Sequence, residues 1–194
     1  LESNFNFIAP APLGAFSSDL TGDGIQEVIV YSQAAGDELI LEPPRVFDLS
    51  TSPYEQLAFN PALASLPVGT DFTPRWSVET DSSQRNVLRF ETDVFPFCPI
   101  TVSRNYTWNG EWFEGSKAEF QLQPNRGTLA YCDPVLEHAY RVWGAGTAIL
   151  LAETLLPEWP PETDLNGDPY PADASDELRF RLGIYHALNG DFDQ

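Results

Sequence analysis

Oxygen ligands crowd one short stretch of the chain, Asp19-Leu20-Thr21-Gly22-Asp23-Gly24-Ile25-Gln26-Glu27. Oxygen-bearing side chains stand at its first, third, fifth and ninth positions, and a glycine stands at the sixth. Alternate spacing lets Asp19, Thr21 and Asp23 point toward one centre, while Gly24 permits the turn that brings Glu27 round. The backbone carbonyl of Ile25 is the natural donor to complete the shell. Hard oxygens, three of them carboxylates, suit Ca²⁺ with its six to eight ligands, whereas Mg²⁺ wants a stricter octahedron and more water. A cation would offset the mutual repulsion of Asp19, Asp23 and Glu27, and without one the loop is expected to be loose. An Asp-rich glycine turn that needs no metal is the competing reading.

The apolar run Val28-Ile29-Val30-Tyr31 follows immediately. In this order the segment resembles the calcium loop of FG-GAP and related integrin-like β-propeller repeats, where Asp-x-Asp/Asn-x-Asp-Gly-x-x-Asp leads into an apolar strand. The likeness covers residues 19–31. It departs from the pattern at Thr21, which keeps an oxygen but loses a charge, and at Glu27, whose longer side chain admits an added water ligand. The resemblance implies a calcium ion held by Asp19, Thr21, Asp23, Ile25 and Glu27, and a structural role for it. A single loop of this kind cannot make a propeller, which needs at least four blades of four strands. A second stretch, Asp164-Leu165-Asn166-Gly167-Asp168-Pro169, begins alike but has Pro169 where glycine is wanted and Ala172 at the ninth position, so it reads as a solvated turn.

Residues 1–130 read as β. Strands are expected over Ile25 to Ser32, Glu38 to Leu49, Arg75 to Thr80, Asn86 to Asp93, Ile100 to Trp108 and Trp112 to Leu122, separated by turn residues. Asn109-Gly110 predicts a two-residue type I′ hairpin with both residues at positive φ. Ser50 to Asp71, with Pro53, Pro61 and Pro67, reads as a long irregular connection with one helical turn near Tyr54 to Leu57. The β part is expected to form a sandwich or a pair of blade-like sheets.

After Cys132 the period changes. Asp133 is placed as an N-cap before Pro134, and one helix with a wide buried face is predicted as far as Pro157. Gly144 and Gly146 inside it suggest close packing against a neighbour. A second helix is predicted over Ala174 to Asn189, with Leu178, Leu182, Tyr185 and Leu188 on one stripe and Gly190 ending it. Leu182-Gly183 followed by Gly190-Asp191-Phe192 is similar to the first helix of a tetratricopeptide repeat over residues 176–194. That likeness implies a neighbouring helix lying close at Gly183 and further repeats beyond Gln194; an ordinary C-capped helix has the same residues. The fold class expected is therefore α+β, an antiparallel β-rich part over 1–130 followed by a helical hairpin over 131–194.

Composition limits what such a chain does. The formal net charge is −19, with 42% hydrophobic and 13% aromatic residues, which is too apolar for a disordered acidic tail. That charge repels phosphate backbones and anionic headgroups, and the arginines are scattered rather than striped, so nucleic acid is not expected as a partner. The longest apolar stretch, Val142 to Ala152, is about half of the roughly 20 residues a membrane span requires. Cys98 and Cys132 are the only cysteines. They are either two buried thiols or a disulfide, and acidity, the single lysine Lys117 and the lack of zinc or redox spacing favour the disulfide and an oxidising compartment. The chain has no Gly-x-Ser-x-Gly elbow, no phosphate-cradling loop and no His-Glu-x-x-His motif, and its two histidines, His138 and His186, fall on expected helices.

These readings converge on a secreted or cell-surface, non-enzymatic calcium-binding protein that engages a protein partner or assembles with itself. The start at Leu1-Glu2-Ser3-Asn4, without an initiator Met or a basic-then-apolar signal, suits either a mature chain whose targeting segment has been removed or a segment cut from a longer sequence for expression. The alternative is a carbohydrate-binding module, or a domain associated with a glycoside hydrolase, using some of Trp76, Trp108, Trp112, Trp143 and Trp159 as a sugar platform; core packing of those rings is the competing account.

Overall fold

Strand-forming residues dominate the first two thirds of the described chain, and they build one sheet. The computed structural model describes residues 13–32, 44–60, 75–94, 97–123 and 127–191. Nine strands occur among them: β1 (Leu13–Ser18), β2 (Glu27–Ser32), β3 (Arg45–Asp48), β4 (Glu55–Phe59), β5 (Arg75–Thr80), β6 (Asn86–Asp93), β7 (Ile100–Trp108), β8 (Trp112–Gly115) and β9 (Glu119–Leu122). Their spatial order is β1-β2-β3-β4-β8-β7-β6-β5, with β9 continuing along β7. Two antiparallel meanders, β1 to β4 and β5 to β8, thus meet through a short parallel contact in which Ala58 faces Trp112 and Phe59 faces Phe113. Every other pairing is antiparallel, and the sheet curls nearly into a barrel. Three helices follow, α1 (Asp133–Trp143), α2 (Ala145–Leu155) and α3 (Ala174–Asn189). This is the α+β arrangement expected.

Two apolar cores result. The first fills the curl of the sheet: Ile29, Val46, Leu57, Leu88, Phe90 and Phe113 point inward from five strands, joined by Trp76, Tyr106 and Leu20. The period-2 alternation of strands explains the set, since residues such as Leu88 and Phe90 on β6 share one face with their neighbours Tyr106 and Arg104 on β7. The second core lies where Ile100 and Val102 of β7 and Phe120 and Leu122 of β9 receive the helices, with Leu136, Ala148, Leu151, Leu155 and Leu178 packed over them. Cys98 and Cys132 form a disulfide with Cα atoms 4.9 Å apart. It ties the residue just ahead of β7 to the 3-10 turn Leu129–Cys132 that enters α1, so the helical part is pinned to the sheet where the second core begins.

Several local expectations need correction. Tyr54 to Leu57 makes no helical turn: Glu55–Phe59 is strand β4, because Leu57 fills the first core and the backbone pairs with β3 and β8. Asn109-Gly110 is not a type I′ turn. Gly110 alone has positive φ, at 105°, while the Asn109 side chain accepts the N–H groups of Glu111 and Trp112, each at 3.0 Å, and holds a longer loop. Trp112 to Leu122 is not one strand. Between the pairs Tyr106–Gly115 and Ser103–Glu119, two residues of β7 oppose three, Ser116 to Ala118, and this bulge separates β8 from β9.

The single helix expected after Cys132 is two helices, broken at Gly144, whose φ of 83° and ψ of 173° suit glycine alone. Open space rather than close packing surrounds Gly144, and a Cβ on Gly146 would meet Asn189 at an ordinary 3.6 Å. Cys132, not Asp133, caps α1. Helix α3 spans the predicted residues and ends at Gly190 with φ 88°. No described atom would lie within 4 Å of a Cβ at Gly183, so the close helix approach implied by the repeat likeness is not present among the described residues. The first part of the expected strand Glu38 to Leu49 falls partly outside the described residues, which resume ahead of β3.

Candidate metal centre

The stretch 19–26 is the loop between β1 and β2, closed by the Ser18–Glu27 pair at the foot of the two strands. Gly22 and Gly24 sit at φ of 81° and 87°, a backbone that L side chains rarely adopt, and these two bends fold the loop back on itself. The result brings Asp19, Asp23 and Glu27 together, with one carboxylate oxygen from each lying within 4.8 Å of the others. Among the described residues this is the one such group.

Glu27 is the unusual member. As the first residue of β2 it is fully buried. Its Oε2 accepts the N–H of Leu20 at 2.6 Å and of Thr21 at 3.2 Å, and its Oε1 accepts the Thr21 hydroxyl at 3.1 Å. Asp19 accepts the N–H of Gly22 at 2.7 Å on Oδ1 and of Gly24 at 3.0 Å on Oδ2, while Asp23 Oδ1 accepts the N–H of Ile25 at 2.8 Å. The loop is also moored across the curled sheet, because Asn86 at the start of β6 donates from its side-chain amide to the Asp19 carbonyl at 2.9 Å. Leu20 is buried in the first core and anchors the loop from below.

This donor set fits a metal ion. A carboxylate offers about four lone-pair sites, and the bonds above leave one on Glu27 Oε1, one on each Asp19 oxygen, one on Asp23 Oδ1 and both on Asp23 Oδ2. At an effective dielectric of about 20, each pair of carboxylates this close repels by roughly 3 to 4 kcal/mol. The loop N–H groups answer part of that, and a cation held between the three oxygens would answer the rest. Of the other expected ligands, Thr21 is held beside the cluster by the bond its hydroxyl donates to Glu27 Oε1. Ile25 is positioned by its N–H on Asp23 and turns its side chain 42% into solvent.

Asp164 organises an exposed turn, its Oδ1 accepting the N–H groups of Asn166 at 2.8 Å and Asp168 at 2.9 Å, and it joins no carboxylate cluster. Trp76 and Trp159 are buried, Trp108 packs on Phe113 with ring centroids 5.2 Å apart, and no described tryptophan stands exposed. The Trp143 side chain lies outside the described residues. His186 sits between Glu153 of α2 and Asp191, with 3.8 and 3.6 Å to their carboxylate oxygens. No helix among the described residues is long and apolar enough to cross a membrane. Sequence reasoning missed Asn86, which carries no local signal for a loop 67 positions away, and it missed that Glu27 would be buried.

No family model, curated protein or solved structure matches the chain.

Proposed function

We propose that the chain is a calcium-stabilised, non-enzymatic module of the extracellular space or cell surface that works by engaging a protein partner. The observation that carries the metal reading is the convergence of Asp19, Asp23 and Glu27 on one centre with Glu27 wholly buried. A buried carboxylate beside two others is costly unless something positive answers it, and hard oxygens select Ca²⁺ over softer ions. Asp19, Thr21, Asp23, the Ile25 carbonyl and Glu27 would hold the ion, whose contribution is to lock the β1–β2 loop. Support for the FG-GAP-like likeness comes from the setting, since the loop joins the first two strands of a four-stranded antiparallel meander, the size of one propeller blade. The disulfide favours an oxidising compartment. The sugar-binding alternative loses its support in the described tryptophans, which pack rather than form a platform.

The test is thermal melting with a chelator and with millimolar calcium. Asp23 is the residue to change, because its carboxylate serves only the loop and Asp23→Ala leaves the core untouched. The wild type should melt lower on chelation, by the equivalent of about 2 to 3 kcal/mol if calcium stands near a hundred times its Kd, and Asp23→Ala should melt alike in both. A wild type indifferent to chelation would remove the metal from the proposal.

A further inference from the structure

We propose that the outer face of α3 and the cleft at its N-terminal half form a docking surface for a basic, amphipathic segment of a protein partner. The proposal rests on the reading of the chain as a partner-binding module and adds to it a surface and a partner chemistry.

The cleft, of about 150 Å³, opens between the start of α1, the connection after α2 and the first turns of α3. Leu136 and Leu178 line it together with the paired rings of Trp159 and Tyr170, whose centroids lie 5.4 Å apart at 75°. Asp133, Glu177 and Arg181 also line it. Arg181 donates from Nη2 to Glu177 Oε1 at 2.6 Å and lies 3.9 Å from Asp133 through Nη1, so the charged lining of the cleft is two half-exposed carboxylates and one cation, acidic on balance. The surroundings reinforce that sign. From Val142 to Leu178 the chain carries eight Asp and Glu and not one Lys or Arg. The Tyr170 phenol is held above its ordinary 10.0 first by burial and then by the Asp133 and Asp164 carboxylates.

Size and charge together define the occupant. A space this small falls below the roughly 300 to 1,000 Å³ of small-molecule pockets, and it suits the end of one side chain. An Arg or Lys from a partner lays its apolar stem on the leucine and ring walls and offers its charge to the carboxylates. Beside the cleft, Phe180, Ile184 and Leu188 are 70%, 41% and 55% exposed. They recur every four residues as one ridge of α3, and Phe180 and Ile184 each follow a rim residue, Glu177 and Arg181, by three positions, the spacing of helix neighbours. A helix presenting apolar residues at the same spacing, with a basic residue toward the cleft, covers both features. A second copy of this chain would bring another net charge of −19 to an acidic face, which argues against self-association there.

The probe is a synthetic helical peptide with Leu at every fourth position and Arg between, compared with its Glu-for-Arg counterpart, measured by fluorescence anisotropy at about 0.15 M salt. The Leu/Arg peptide should bind and the Leu/Glu peptide should not. Phe180→Ser and Glu177→Gln should each weaken binding about tenfold, the cost of losing an apolar anchor or a facing charge. Glu111→Gln, on the distant β7–β8 loop, is the control for bulk charge and should change nothing. Absence of peptide binding, equal loss in all three variants, or concentration-dependent self-association abolished by Phe180→Ser would each overturn the proposal. Running the series with calcium and with chelator separates the two readings. Calcium-dependent melting with a flat peptide response sinks this inference alone, and peptide binding without calcium-dependent melting sinks the metal alone.

Discussion

Glu27 has no contact with water, and its oxygens take two N–H groups and one hydroxyl from the preceding loop. Replacing it by Gln keeps one acceptor but sets an NH₂ against groups that also donate. Glu27→Gln should therefore cost about 2 to 3 kcal/mol in urea unfolding, the cost of stranding a buried partner of a charged acceptor, and a loss below about 0.5 kcal/mol would show the cage to be dispensable. Asp81 offers a milder version of the same chemistry in an exposed turn. It accepts the N–H groups of Ser83 and Arg85 at 2.8 and 3.0 Å, and Arg85, chiefly through its backbone N–H, lowers the carboxyl pKa below its ordinary 3.8. A folded value below the unfolded one means that this bond network is complete above about pH 3.8 and is lost as the pH falls through the lower folded value. An NMR titration of the Asp81 carboxyl should place its midpoint below 3.8; a midpoint at or above that value contradicts the turn.

Elements were legible where their cause was local. β5, β6 and α3 follow from alternation, from period 3.6 and from a closing glycine, and their bounds are those read from the chain. The spacing of the acidic loop was legible for the same reason. β4 was not, because Pro53 and Pro61 frame it and what makes it a strand is pairing with β8, more than fifty positions away. β1, with Gly14, Ser17 and Ser18, has too weak a pattern to stand out, and it exists because β2 pairs with it along its whole length. The bulge at Ser116 to Ala118 and the side-chain-held turn at Asn109 likewise depend on a partner strand or a side-chain choice that composition leaves open. Gly144 was noticed for the wrong reason: it breaks the helix rather than admitting a neighbour. Gly144→Ala should cost about 1 to 3 kcal/mol in chemical denaturation, since its backbone angles belong to glycine; an unchanged midpoint would mean that α1 and α2 tolerate being fused.

At the scale of the whole molecule, two cores meet along β7, and the disulfide crosses near their junction. Bridging residues 34 apart limits the unfolded chain, so the Cys98→Ser, Cys132→Ser double variant should lose about 3 to 4 kcal/mol, with the helices loosening from β9 first. Thiol titration of the unfolded, unreduced protein should find no reactive group; finding two would remove both the bridge and the argument for an oxidising compartment. The same architecture places the acidic loop at the open seam of the curled sheet, where Asn86 of β6 reaches Asp19. Metal binding there would stiffen the seam as well as the loop.

The most direct measurement is a crystal structure grown in millimolar calcium, with anomalous data to identify the ion. The account predicts a peak about 2.3 to 2.6 Å from oxygens of Asp19, Asp23 and Glu27. A well-ordered loop in those crystals, its three carboxylates answered by N–H groups and water around an empty centre, would contradict it.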